Sequence, residues 1–448
     1  MDANSQELWD KQPSRTEQQT WLPKLFRFAL ATLPYGFYIN LLVILIVAFI
    51  ARRQLKQTYG SCIDPLTRGS LIAVTIGMII SAIAAIDKGE AALQLANFLP
   101  FFWLFTILPF IVRSPLTQYK LARDWVLASL PINAVAIVEY LAKNNRLPSF
   151  CYDWGFMQAW QEAPHIGRAM VMFDHPNVLA NYAVLTFGLS LGLIFSQAVS
   201  QDSGQSISHG VAQEISRNIR KTPRWIWLII AALNLVGLFC SGSRNGILVA
   251  FSQLLLLVLI TKLNRTLILL GSLSIAAFGI SIFTLGLGTR SLGILQIMDD
   301  PRLGVWKIAL DLIRERPLLG WGPGSFKLLY PSRLIDPTYQ IVFHPHNLWL
   351  LLSAEYGIPV MIGLTVTVGF ICYRARRAIQ ISSGRLSTPQ PSTLMLTGYG
   401  LALWGTIQFS MIDVTFYDAR LNVMAWGLLA VLYAQGWLTD ALVNTTSS

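Results

Sequence analysis

Two histidines stand two residues apart in Phe343-His344-Pro345-His346-Asn347-Leu348-Trp349-Leu350, and the chain has only five in all. Imidazole is the side chain best matched to proton transfer near neutral pH. The pair reads as a general base with a close neighbour, and the residues leave open which of His344 and His346 takes the proton. A metal site is the competing chemistry, but no third ligand at a suitable spacing accompanies the pair. Asp299 and Asp300, adjacent on a helix cap, are a weak coordination signal. The glycine-rich run Gly320-Trp321-Gly322-Pro323-Gly324-Ser325-Phe326 is neither a Walker loop nor a dinucleotide fingerprint, since no strand precedes it and no Lys-Ser/Thr pair follows. No metal and no cofactor is therefore expected.

Three further segments carry polar chemistry. Ser241-Gly242-Ser243-Arg244-Asn245-Gly246 reads as a tight turn whose Arg244 opens a helix. A helix start disfavours a cation unless an anion joins it, so its free N–H groups and a guanidinium together suit an anionic ligand. Arg302 opens a second helix in the same way. There Asp300 is the expected cap and Pro301 the first helical residue, and Trp306, Ala309, Leu310 and Ile313 form an apolar stripe. In Asp174-His175-Pro176-Asn177-Val178-Leu179-Ala180-Asn181, Asp174 is the expected cap. Asn177 and Asn181, at i and i+4, share a face that can meet a polar ligand. Asn347, beside His346, is the expected orienter of the imidazole, ahead of the more distant Glu355.

The elements that must hold these residues are membrane helices. Of 448 residues, 54% are hydrophobic and 13% charged, against about 25% charged in a soluble domain. The formal charge of +11 falls in short clusters between apolar runs, which excludes a nucleic-acid surface. The four scattered cysteines indicate no disulfide framework. A crossing helix needs roughly 17–25 apolar residues. Spans are expected near 35–51, 69–86, 91–112, 121–141, 177–198, 224–241, 244–262, 265–286, 358–374, 394–412 and 420–437. Trp21–Ala51 is interrupted by Pro34 and Gly36, as a kinked helix or a shallow hairpin. The expected fold is thus an all-α polytopic membrane protein of 11–12 spans, with one large outer loop over 287–357 that carries an amphipathic helix.

Alternate loops differ in basic residues. One set holds Arg52, Arg53, Lys56, Arg68, Arg113, Lys120, Arg123, Arg217, Arg220, Lys221, Arg224, Lys262, Arg265, Arg374, Arg376, Arg377 and Arg385; the other holds Lys88, Lys143, Arg146, Arg168, Arg244 and Arg420. The positive-inside rule puts the first set in the cytoplasm and all four polar segments on the outer face.

The order HPNVLANY, SGSRNG, PRLGVWKIALDLIRERPLLGWGPGSF and HPHNLWLLLSAEYGIPV resembles the O-antigen ligase and polymerase superfamily of bacterial membrane proteins. The resemblance covers roughly 165–375, between N-terminal membrane helices (21–164, after a polar tail 1–20) and C-terminal ones (376–448). It implies transfer of a saccharide from an undecaprenyl-diphosphate carrier to an acceptor hydroxyl on a glycan, a lipid or a protein. The implied place is the periplasmic face of the bacterial inner membrane, with neither metal nor nucleotide. It also implies essential roles for Arg244, Arg302 and His346, with His344 a near rival. The chain is similar to a group from photosynthetic bacteria, some of whose members carry a bicarbonate-transporter label. A small-anion transporter is therefore the alternative. It calls for charges at mid-membrane depth, but Glu139 lies near a span end, Asp124 near a span start, and Asn133 and Asn234 are neutral.

Overall fold

A computed structural model describes residues 21–58, 60–202, 217–219, 221–260, 302–334, 342–384 and 391–446. The expected span at 265–286 and the pair Asp299–Asp300, with the cap and Pro301, lie outside the described residues. Among those residues there are helices and no strands. Among the described residues, five helices are long and apolar enough to cross a membrane by length and composition, and two more of 17 residues are apolar but shorter. The protein is an all-α polytopic membrane protein.

The ambiguous Trp21–Ala51 segment resolves into α1 (Trp21–Ala31) and α2 (Phe37–Thr58), joined by a turn at Pro34. Only α2 is long enough to cross. Next, α3 (Pro65–Ile83) starts on Asp64, whose carboxylate accepts the Thr67 N–H, with Pro65 in the first turn. The expected span 91–112 is not one helix. It breaks into α4 (Lys88–Leu95), α5 (Leu99–Phe105) and α6 (Leu108–Ile111). Pro100 and Pro109 each sit in the first turn of a new piece, because proline has no N–H with which to continue the preceding one.

The helices that follow are α7 (Pro115–Lys143), the short α8 (Gly155–Glu162), α9 (Pro176–Asp202), α10 (Arg224–Cys240) and α11 (Arg244–Ile260). After them come α12 (Arg302–Glu315), α13 (Ser325–Leu329), α14 (Leu348–Tyr356), α15 (Ile358–Gly384), α16 (Pro391–Ser410) and α17 (Ala419–Thr446). The centre of the bundle is α9, whose apolar window is 94% buried, whereas the other four long spans are 28–44% buried and turn a face outward. It lies so close to α16 that a Cβ on Gly192 would meet the Gly398 Cα at 2.7 Å. Small residues permit this approach in membrane bundles, where dispersion rather than water exclusion drives helix association. A buried tie crosses three helices. The Asn133 amide of α7 donates to Asn234 Oδ1 of α10 at 2.8 Å, and Thr186 of α9 donates to the same oxygen at 2.9 Å. The neutral pair considered for transport is thus a structural tie.

The amphipathic α12 is present, but its buried stripe is Val305, Ile308, Ala309 and Leu312, packed with Phe326, Tyr330 and Ala354. The expected stripe overlaps it only at Ala309, and Leu310 is exposed. Both stripes obey helical periodicity, and the choice between them is made by the α13–α14 surface. The glycine run wraps the end of α14. Gly320 has φ +67, and a Cβ there would lie 2.5 Å from the Glu355 carbonyl. Trp321 and Gly322 donate their N–H groups to the carbonyls of Ala354 and Glu355.

Candidate active site

The chain order brings the ends of α7, α10 and α16 and the starts of α9, α11, α14 and α17 to one end of the bundle, and the polar segments gather there. His346 sits just before α14 with φ +50, in the left-handed region, a conformation that costs a non-glycine residue about 1–2 kcal/mol. Its Nδ1 is 3.1 Å from Asp413 Oδ1. The other carboxylate oxygen of Asp413 accepts the Asn177 amide at 2.5 Å. Burial opposes ionisation of Asp413, but the hydrogen bond and charge of His346, the charge of His344 and the Asn177 amide outweigh it and hold the carboxyl well below the usual range. Asp413 is therefore a fixed anion behind the ring. Among the described residues nothing hydrogen-bonds His346 Nε2.

Asn347 has another task. Its Oδ1 accepts the Leu350 N–H as the cap of α14, and its amide donates to the Met411 carbonyl at 2.9 Å. It docks the helix start beside Asp413, while Asp413, and not Asn347, holds the imidazole. Glu355 is remote from the ring, and its Oε1 accepts the Phe326 N–H. His344 lies edge-on to His346 with centroids 4.8 Å apart, and its Nδ1 accepts the His346 N–H at 3.3 Å. Burial pushes His344 down to about 4; the Asp413 anion acts against this, and the charges of His346 and Arg302 add to it. It is neutral at physiological pH.

Asn177 and Asn181 are buried, and both hold protein groups. Asn177 Oδ1 accepts from Arg168 at 3.0 Å, and the Asn181 amide donates to Thr415 at 2.7 Å. Asp174 does not cap α9. Its side chain is exposed, 3.6 Å from Arg420, and the His175 ring accepts the Asn177 N–H in its place. Arg168 also donates to the Ser241 carbonyl at 2.8 Å, which anchors the turn that carries Arg244. Lys143, paired with Glu139 at 2.9 Å, donates to the Arg168 carbonyl. Glu139 is thus bound up in the scaffold. Arg244 is half-buried at the first position of α11, and Arg302 is half-buried at the first position of α12, near enough to His344 to act on its charge.

Residues 229–365 match the family described as O-antigen ligase. This match supports the resemblance to the O-antigen ligase and polymerase superfamily over a segment that is under a third of the chain. A search of curated proteins found no match. The matched segment contains Arg244, Arg302, His344, His346 and Asn347, and the match supports a membrane protein that transfers glycans in general. Asp413, Asn177 and Arg168 lie outside the matched segment, yet they complete the geometry around His346. Asp413 had no place among the sequence candidates. The available signal was an acid in the short loop between the spans at 394–412 and 420–437, on the face assigned to the histidines.

His344, His346 and Asp413 are the one group of potential metal ligands among the described residues, with their ligand atoms within 4.8 Å of one another. Hydrogen bonds already engage both oxygens of Asp413, Nδ1 of His346 and Nδ1 of His344. The donor set therefore fits an orienting network better than a cation. Beside the site, an apolar crevice of about 340 Å³ runs between α14, α15, α16 and α17. Its walls include Leu348 and Trp349, which follow Asn347, and Ser410, which precedes Met411.

Proposed function

We propose that this protein transfers a saccharide from an undecaprenyl-diphosphate carrier to an acceptor hydroxyl on the periplasmic face of the bacterial inner membrane, without a metal. The observation that carries the reading is His346, held through Nδ1 by the buried Asp413 anion with its Nε2 left for a substrate. Nε2 takes the proton of the acceptor hydroxyl as that oxygen attacks the anomeric carbon. The bond to the carrier breaks on the opposite side, and the diphosphate leaves with the electron pair. Attack opposite the leaving group inverts the anomeric centre. Asp413 stabilises the imidazolium formed, as an orienting carboxylate does in other His-based sites. Arg244 and Arg302 neutralise the departing diphosphate, for which guanidinium geometry is suited. The crevice beside Leu348 and Trp349 receives the isoprenoid tail and leaves the diphosphate at its polar mouth. Asn177 orients Asp413, and Asn347 fixes the position of α14. His344 contacts the substrate through its distal nitrogen.

Anion transport has less support, because the charged groups at the ends of the spans, such as Glu139 and Asp124, are engaged in ion pairs. Complementation tests the proposal. A deletion strain receives either the wild-type gene or His346→Ala, and surface polysaccharide is run on a gel at matched membrane levels. Wild type restores high-molecular-weight glycan and the variant does not. Glycan that deletion leaves unchanged, with reduced bicarbonate uptake, sinks the transferase reading.

A further inference from the structure

The sequence contains two His-Pro-X turns, His175-Pro176-Asn177 and His344-Pro345-His346, and the structure uses them alike. In each, the histidine Nδ1 accepts the N–H of the residue two positions on, at 3.0 Å and 3.3 Å. In each, that third residue reaches Asp413, with Asn177 on one carboxylate oxygen and His346 on the other. Asp413 is thus gripped from two sides by the same local device. An Nδ1 that accepts must be bare, so the proton of a neutral ring sits on Nε2. The Nε2–H of each leading histidine is then a donor of fixed tautomer. His165 lies edge-on to His175 with centroids 4.4 Å apart. His346 meets the Asp413 carboxylate directly, and His175 and His344 lie near enough to feel its charge.

We propose that His175 is a substrate-binding residue whose Nε2–H donates a hydrogen bond to an oxygen of the lipid-linked donor. Among the described residues no protein acceptor meets that nitrogen, and the ring is only partly buried. Burial drives His175 down to about 4, so it serves as a neutral donor. The ligand chemistry is an oxygen acceptor, either a diphosphate oxygen or a sugar hydroxyl. The inference rests on the transferase reading above. It also places substrate contact outside the matched ligase segment, which begins at residue 229.

The test uses the full-length protein in lipid nanodiscs with lipid-linked glycan extracted from the source membranes. His175→Asn keeps a side-chain oxygen to accept the Asn177 N–H in an Asx turn before proline, but it lacks the distal donor. The expected result is a KM raised about three- to ten-fold, the value of one neutral hydrogen bond, with kcat within about twofold. A purely structural His175 leaves KM unchanged in His175→Asn, and that outcome overturns the proposal. If the variant does not fold, histidine-labelled wild type is read by nitrogen NMR, where the His175 Nε2 signal moves on addition of donor; a stationary signal overturns it. Bare undecaprenyl diphosphate separates the two oxygens. A variant that also binds this compound less tightly assigns the contact to phosphate, and a loss confined to the glycan-bearing donor assigns it to a sugar hydroxyl. If wild type itself shows no transfer, the transferase reading fails first.

Discussion

At the scale of residues, the account turns on the pairing of His346 with Asp413. A base whose ring is aimed by a permanent anion loses both orientation and imidazolium stabilisation when that anion is removed. Asp413→Asn keeps the shape and lowers kcat about 10²-fold or more, with KM changed far less. Steady-state transfer kinetics check this, and a variant with wild-type kcat removes Asp413 from the mechanism. The histidine pair, Asn347 as a helix start and Arg244 at the head of α11 were legible from residue type and spacing. Asp413 was not, because its partners are 67 and 236 residues away in sequence. Only the fold puts it under the ring. The same distance hid the true roles of Asn177 and Asn181. Their i and i+4 spacing shows a shared face, but a face toward ligand and a face toward Asp413 and Thr415 look identical in sequence.

At the scale of elements, α14 and the glycine run form a unit whose stability depends on pH. Burial raises Glu355 to about 7, against the N–H bonds of Gly324 and Phe326, and its Oε2 has no hydrogen-bond partner among the described residues. The folded-state value exceeds the unfolded one near 4.5. The folded protein therefore holds the extra proton between those values. Its contribution to stability is complete below pH 4.5 and is lost as pH rises through about 7. The full span is on the order of 3 kcal/mol. Glu355→Gln removes this dependence: thermal unfolding in detergent moves upward relative to wild type at pH 8 and stays close to it at pH 5. An equal shift at both values contradicts the buried, proton-holding carboxyl. The start of α14 at Asn347 and its end at Gly357 could be read from the sequence, because a side-chain oxygen cap and a glycine are local signals. The register of α12 and the fate of 91–112 could not. The first depends on which surface the helix meets. In the second, total hydrophobicity concealed two prolines that reset the chain direction.

At the scale of the molecule, a buried α9 anchors a bundle whose helix ends collect histidines, arginines and the Asp413 carboxylate beside an apolar crevice. Composition and charge asymmetry sufficed for the all-α polytopic class, since lipid constrains every span alike. The crevice was invisible there, because its walls come from four helices that are each simply apolar. A polar cluster at the mouth of an apolar slot is the arrangement an amphiphilic lipid diphosphate needs. The most direct test reconstitutes purified protein with undecaprenyl-diphosphate-linked glycan and acceptor in EDTA, and follows release of carrier diphosphate together with growth of the acceptor glycan. The account predicts coupled release and growth for wild type and neither for His346→Ala; no transfer by wild type, or equal transfer by the variant, contradicts it.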